Sequence, residues 1–475
     1  MHGEPTATME GIKYSDDSAE DFGKIIRGRS LESPAHSLRR RILSVDYEDE
    51  EEPGDYAGEP AMPETPKELH FWARRLADLW LISALALQLY TYLFSGVRWF
   101  LKFIRLVAFT IILLPGFSQM VLFYFFSPRL QRSIPFGTKP RNRLDVYLPR
   151  KKWRRRGPCP VVIYVTGGCW TIGYKAWGAL FGRRLSQRGV LVFCLDYRNF
   201  PQGSCMDMLQ DINTGITWVL ANLHLYGGDP EEVFLVGQSA GGHLTSLALL
   251  AQALQHEEAS SPSSSSLASS NKEAVEMTEE ERKSTRRPIR EINTKPPTPT
   301  TVLGGSPTWD PRHLKGFVGV SGAYNLVTLS DHLHKRGLYR NLFASIMTGP
   351  KGTPMLAELS PSLVADTQLT PAAAAMLPPM LILHGDADKS VPIKNAREYI
   401  LALYKAGIPQ SKCILKEYVG KTHTQPIIED PMRGGRDEMM DEVLKMIKGG
   451  RECVNVQFAM MPSVLIDVAT WICPF

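Results

Sequence analysis

Gly237, Gln238, Ser239, Ala240 and Gly241 follow the apolar run Val233 to Val236 directly and open a helical stretch. A serine at a sharp strand-to-helix turn sits on strained backbone with its hydroxyl presented, and flanking glycines leave room for the turn to pack. A hydroxyl is a weak nucleophile until a base takes its proton, and the base needs an acid to orient it. Downstream, Met380 to Leu383 runs into His384, Gly385, Asp386, Ala387 and Asp388, which puts two acids at the carboxyl end of an apolar strand. Cys413 to Tyr418 runs into Gly420, Lys421, Thr422 and His423, a polar loop with a histidine. Ser239, one of the two aspartates and His423 are thus a candidate set for acyl transfer.

Upstream, Thr166, Gly167, Gly168, Cys169 and Trp170 follow the apolar run Val161 to Val165. Paired glycines let backbone N–H groups come close to a developing oxyanion, and the N–H of Ala240 would complete such a hole. Cys169 and Gln238 lie in the same two turns. The candidate oxyanion and substrate-binding residues are therefore Gly167, Gly168, Cys169, Gln238 and Ala240.

Other constellations are thin. His332 and His334 form an HxH with no third ligand at metal spacing, so they read as a surface helix, and His243 and His384 read as structural. No HExxH, P-loop or GxGxxG occurs, so neither metal nor cofactor is expected. The seven cysteines make no CxxC pair and leave one odd, which suggests neither a disulfide framework nor a zinc ribbon. Cys473 stands third from the last residue, where a prenylation signal needs it fourth. Fifty-four Lys and Arg against 49 Asp and Glu give a net charge of +5 with no long basic run, which disfavours nucleic acid as a partner.

These residues need a scaffold. From Arg143 onward, short β-rich runs (Leu144 to Leu148, Val161 to Val165, Val190 to Leu195, Val233 to Val236, Phe317 to Val320, Met380 to Leu383, Cys413 to Tyr418) alternate with helical stretches near 175–187, 205–224, 240–254 and 393–406. Nearly continuous apolar strands between helices predict an α/β domain, a mostly parallel twisted sheet covered on both faces, over residues 139–475. Residues 255–301 interrupt it: eight of the twelve residues from Ala259 to Ser270 are serine, so a disordered Ser-rich insertion is expected. Residues 1–78 read as a disordered acidic and polar tail with no apolar leader in its first twenty residues. Between them, 19 uncharged residues from Leu79 to Val97 and 23 from Leu106 to Pro128 read as two membrane segments, about 79–97 and 106–128, separated by Arg98, Lys102 and Arg105.

With these motifs in place, the chain resembles the isoprenylcysteine α-carbonyl methylesterases, plant prenylcysteine methylesterases in the esterase and lipase branch of the α/β-hydrolases. The similar stretches are PRNRLDVYLP (Pro140 to Pro149), GGCWTIG (Gly167 to Gly173), LDYRNFPQG (Leu195 to Gly203), GGDPEEVFLVGQSAGGHL (Gly227 to Leu244) and HGDADKSVP (His384 to Pro392). The order Ser, Asp, His is that of the α/β-hydrolases. In their HGxxDxxVP pattern the second acid orients the histidine, so the resemblance implies a triad of Ser239, Asp388 and His423, with Asp386 bracing the loop. Thr166 stands where the related HGGG pattern carries His.

The resemblance implies hydrolysis of the methyl ester of a C-terminal farnesylated or geranylgeranylated cysteine to carboxylate and methanol. It also implies a multi-pass protein of endoplasmic reticulum and Golgi membranes with its catalytic domain facing the cytosol. The partners would be prenylated cysteine methyl esters, free or at protein C-termini, and the lipid bilayer. The stretch Tyr324 to Met347, with Leu326, Leu329, Leu333, Leu338, Leu342, Phe343 and Ile346, is a candidate cap forming the apolar pocket for the prenyl group. The alternatives are a general membrane lipase or carboxylesterase for acyl or sterol esters, and a non-catalytic hydrolase-fold receptor.

Overall fold

In the computed structural model, the strand that precedes Ser239 lies inside an eight-stranded sheet of order β1-β2-β4-β3-β5-β6-β7-β8. The strands are β1 (Leu130–Pro135), β2 (Arg143–Tyr147), β3 (Cys159–Val165), β4 (Leu191–Leu195), β5 (Gly228–Gln238), β6 (Gly316–Val320), β7 (Met380–Gly385) and β8 (Cys413–Tyr418). The structure describes Trp80, Ser83 and residues 97–260, 308–336, 340–349, 352–449 and 456–474, all within the unit Trp72–Phe475. The acidic tail lies outside the described residues, as do Leu338 and, apart from Trp80, Ser83 and Val97, the first apolar segment.

Strands β3 to β8 pair in parallel, while β1 and β2 pair antiparallel at one edge. The apolar runs explain this. In β3, Val161, Ile163 and Val165 enter one core while Val162 and Tyr164 enter the other, so both faces must be covered. Among the helices on those faces are α3 (Ala179–Gln187), α4 (Cys205–Asn222), α5 (Ala240–Ser260), α6 (Leu326–Lys335), α7 (Arg340–Ile346), α8 (Pro361–Thr367), α9 (Pro371–Met376), α10 (Ile393–Lys405), α11 (Glu429–Arg433), α12 (Glu438–Ile447) and α13 (Ser463–Ile472). α4 starts where it does because Ser204 accepts from the N–H of Asp207 and the Asp207 carboxylate accepts from the N–H of Ser204, a capping box. This is the α/β-hydrolase fold.

Three boundaries differ from the sequence reading. The sheet begins at β1, ahead of residue 139; its short stretch LQRSIP carries a register shift between Gln131 and Ile134 and shows no clean alternation. α5 continues to Ser260, six residues past the expected end, because Gln255 is buried against Gln252 and the His256 ring bonds the Trp309 carbonyl. Only residues 261–301 of the expected insertion lie outside the described residues.

The third difference concerns the second apolar segment. Residues 106–128 do not form one straight helix: α1 (Val97–Ile112) and α2 (Leu114–Phe126) meet at Leu113, with a bend of 67° between Leu101–Ile112 and Leu114–Phe126. Pro115 lies in the first turn of α2, where it can supply no N–H to continue the helix from α1. Among the described residues no single helix is long and apolar enough to cross a membrane, although this bent pair has the length and composition to do so together. α2 also buries a polar anchor. Gly116, Met120 and Tyr124, four residues apart, line its buried face, and Tyr124 Oη donates to Asp145 Oδ2 at 2.6 Å. Asp145 Oδ1 accepts from the N–H of Ser133 at 2.8 Å and lies 3.6 Å from Lys175 Nζ.

Candidate active site

β5 ends at Gln238 and α5 begins at Ala240, so Ser239 alone must complete the turn between them. Its φ of +54° is left-handed, a conformation that a side chain tolerates only when its surroundings impose it. They do. The N–H of Ser239 donates to the Val320 carbonyl of β6 at 2.8 Å, and a Cβ on Gly241 would collide with the Val165 carbonyl oxygen at the end of β3.

The hydroxyl points at a histidine. His423 Nε2 lies 2.9 Å from Ser239 Oγ, and His423 Nδ1 lies 2.6 Å from Asp388 Oδ2. Since a carboxylate only accepts, Nδ1 carries the proton, and the Nε2 lone pair is left to receive that of Ser239. Asp388 is fixed from all sides: Oδ1 accepts from the N–H groups of Ser390 (2.8 Å) and Val391 (2.9 Å), and His384 Nε2 stands 3.3 Å from Oδ2. Burial alone would push its carboxyl up, but the charge of His423 and the hydrogen bonds of His384 and His423 outweigh it. They hold the group well below the ordinary carboxylate range.

Asp386 has a different task, since its Oδ1 accepts from the N–H of Gly420 at 2.6 Å. Gly420 has a φ of +73°, and this bond fixes the turn that carries His423. The N–H of Ala387 also donates to the Lys421 carbonyl, so the loops bearing acid and base are stitched together. His384 Nε2 also bonds the Val391 carbonyl at 2.8 Å, and His332 Nε2 bonds the Lys389 carbonyl at 2.8 Å. Both histidines hold the acid loop, and among the described residues no group of side chains could hold a metal ion.

The glycine loop after β3 lies beside the nucleophile. A Cβ on Gly167 would stand 2.8 Å from Ser239 Cβ, and Gly168 has a φ of +130°. One expected donor is occupied: the N–H of Gly167 donates to Gln238 Oε1 at 3.0 Å, so Gly167 ties the loop to the elbow rather than facing the oxyanion. Candidate donors that remain are Gly168, Cys169 and Ala240. The last opens α5 and has no helical partner one turn back. Gln238 is correspondingly a brace, 6% exposed, and not a surface for substrate.

Two further braces have no local signal in the sequence. Trp170 Nε1 donates to His243 Nδ1 at 3.1 Å, and His243 Nε2 bonds the Leu359 carbonyl at 2.7 Å. Thr166 Oγ1 donates to the Tyr174 carbonyl at 3.2 Å, while Tyr197 Oη donates to the Thr166 carbonyl at 3.1 Å. The loop is thus braced without a histidine at 166. Of the expected cap, Leu326, Leu329, Phe343 and Ile346 pack into the core, and the Phe343 ring meets Trp170 edge-on at 5.5 Å. The cap therefore leans on the glycine loop. Beyond His423, Thr424 Oγ1 donates to Glu429 Oε1 at 2.8 Å, and burial pushes the Glu429 carboxyl up to about 7.

A serine hydroxyl, an oriented histidine and backbone donors in this fold define a carboxylic-ester hydrolase. The family model described as BD-FAE matches residues 144–284. A probable isoprenylcysteine alpha-carbonyl methylesterase of Oryza sativa subsp. japonica is 40% identical over 389 residues, 82% of this chain and 79% of that protein. The isoprenylcysteine alpha-carbonyl methylesterase of Arabidopsis thaliana is 37% identical over 406 residues, 84% of this chain and 82% of that one. Among solved structures, esterase B of Lactobacillus rhamnosis aligns over 74% of this chain and 95% of its own, at 17% identity and a TM-score of 0.47. The chain belongs to the isoprenylcysteine alpha-carbonyl methylesterase family.

Proposed function

We propose that the protein is a membrane-associated serine esterase that removes the methyl ester from C-terminal isoprenylated cysteine. The observation that carries the chemistry is the hydrogen-bonded line from Ser239 Oγ through His423 to Asp388. The names of the relatives supply the ester. Ser239 Oγ attacks the ester carbonyl as its proton passes to His423 Nε2, and Asp388 stabilises the resulting imidazolium. The tetrahedral oxyanion accepts from the N–H of Ala240 and from Gly168 or Cys169. Collapse expels the methoxy group, which takes the proton from His423 and leaves as methanol. Water, deprotonated by His423, then attacks the acyl-enzyme, releasing the free carboxylate and restoring Ser239. No step calls for a metal or organic cofactor.

A prenyl chain partitions into lipid, so an esterase held at the bilayer meets its substrate in two dimensions. Removing the methyl group restores a negative charge and weakens the substrate's hold on the membrane. We place the hydrolase domain on the cytosolic face of endoplasmic reticulum and Golgi membranes. Protease protection in intact microsomes tests this, and a lumenally shielded hydrolase domain would overturn it.

The test of activity is methanol release from farnesylcysteine methyl ester by the full chain in detergent, beside a simple acyl ester and with Ser239→Ala as control. Preference for the prenylated ester, lost in Ser239→Ala, is expected. Turnover of the simple ester alone would make the protein a general lipase or carboxylesterase, and turnover of neither would leave a ligand receptor.

A further inference from the structure

The apolar end of the chain takes no part in the triad, yet it has a defined place. α13 packs against α1, whose Arg105 donates to the carbonyl oxygens of Ile472 (2.9 Å) and Trp471 (3.3 Å) at the end of α13. Ile466, Ala469 and Cys473, spaced i, i+3, i+7, are buried. The other side is apolar too: Val464, Val468 and Trp471, spaced i, i+4, i+7, are 68%, 41% and 81% exposed. α1 repeats the pattern, burying Phe109 while leaving Ile104, Val107 and Ile111 exposed. A helix on the surface of a water-soluble domain ordinarily sets polar residues opposite its buried stripe. Two adjacent helices that both set apolar residues there mark a surface for an apolar partner.

Charge selects the partner. α1 itself carries Arg98, Lys102 and Arg105 with no Asp or Glu, and Asp467 on α13 is paired with Arg433 at 2.7 Å. Apolar stripes in a basic surround complement acyl chains beneath anionic headgroups, and an exposed tryptophan suits that boundary.

The tail of α13 reaches the catalytic loops. Cys473 Sγ lies 3.3 Å from Oγ1 of Thr424, the residue after His423. Arg336 donates to the Pro474 carbonyl at 3.4 Å and to the carbonyl of Lys389, the residue after Asp388, while Lys102 of α1 donates to the Arg336 carbonyl at 3.2 Å. The apolar stripes and the triad are therefore neighbours through α1, Arg336 and the tail of α13.

We propose that α1 and α13 form one lipid-contact face for a bilayer carrying anionic headgroups, and that the α13 tail sets the mouth of the site against it. The proposal rests on the membrane-associated reading above and names the surface that makes the contact. The test uses the full chain with phosphatidylcholine and phosphatidylserine vesicles, with and without acyl-chain bromine. Bromine is expected to quench a fluorescence component that Trp471→Phe lacks. Val464→Glu combined with Val468→Glu is expected to lower hydrolysis of a vesicle-borne ester about tenfold while leaving turnover of a water-soluble short ester within about twofold. Failure of the full chain to bind vesicles would overturn the membrane reading itself. Binding without Trp471 quenching, or equal losses on both esters, would overturn this proposal alone. So would a lipid-free dimer that the double variant dissociates with vesicle-borne hydrolysis unchanged.

Discussion

The indole N–H of Trp170 meets Nδ1 of His243 at 3.1 Å, and that contact decides which ring nitrogen of His243 is protonated. With Nδ1 accepting, Nε2 carries the hydrogen and donates it to the Leu359 carbonyl at 2.7 Å. One neutral imidazole thus joins the glycine loop after β3, the nucleophile helix and the segment ahead of α8.

Burial holds His243 down to about 4, against an ordinary 6.5. A group whose pKa is depressed by folding stabilises fully above its unfolded value and loses that contribution as pH falls through the folded one. The window here is pH 6.5 to 4. Protonation would set an N–H at Nδ1 against the N–H of Trp170 and part the contact. Relative to His243→Phe, wild type should lose about 3 kcal/mol across that window in denaturant titrations, at ~1.4 kcal/mol per unit. At pH 7 the same variant should be about 1–3 kcal/mol less stable, because Trp170 and Leu359 are left unpaired.

Gln238 presents a different contrast. Its Oε1 holds the N–H of Gly167, so Gln238→Glu keeps an acceptor but adds a negative charge beside the place where the oxyanion forms. Turnover of a short ester by Gln238→Glu should fall on the order of 10²-fold with little change in KM, whereas Gln238→Met should lose less. Steady-state kinetics on the two variants check this, and equal losses would leave Gln238 a purely structural brace.

The two aspartates of the acid loop separate in the same way. Asp388→Asn puts an amide against His423 Nδ1 and favours the wrong tautomer, so kcat should drop on the order of 10⁴-fold. Asp386→Asn retains an oxygen for the N–H of Gly420 and should cost under about tenfold. Similar losses in two folded variants would contradict this division of labour.

What could be read from the sequence was local. Ser239 lies between an apolar strand and a helix, and Asp388 and His423 each follow a strand, so each position is set within a dozen residues. The Trp170 and His243 contact joins residues 73 apart, and nothing near either one marks it. The same holds for α2. A count of uncharged residues sees 23 in a row, but Pro115 bends the chain and the partner of Tyr124 is Asp145 on β2. Hydropathy measures length and apolarity; it carries no record of a buried carboxylate one strand away. The N–H of Gly167 shows the limit for motifs too, since a glycine pair permits close approach without saying which N–H the neighbouring side chain will take.

Glu429 makes the last test because its sign is opposite. Burial raises its carboxyl from 4.5 to about 7, and among the described residues Oε2 has no partner while Oε1 accepts from Thr424. A carboxyl whose pKa is raised by folding contributes fully below its unfolded value, and that contribution is lost as pH rises through the folded one. Wild type should therefore lose about 3 kcal/mol between pH 4.5 and 7 relative to Glu429→Gln, at ~1.4 kcal/mol per unit, and the two should converge below pH 4.5. Because Thr424 follows His423, the ionised carboxylate also strains the loop that carries the base, so kcat of Glu429→Gln should hold up better than that of wild type above pH 7. Paired denaturation curves at pH 4.5 and 8 decide the matter: a constant difference between wild type and variant would mean that Glu429 does not titrate in this range.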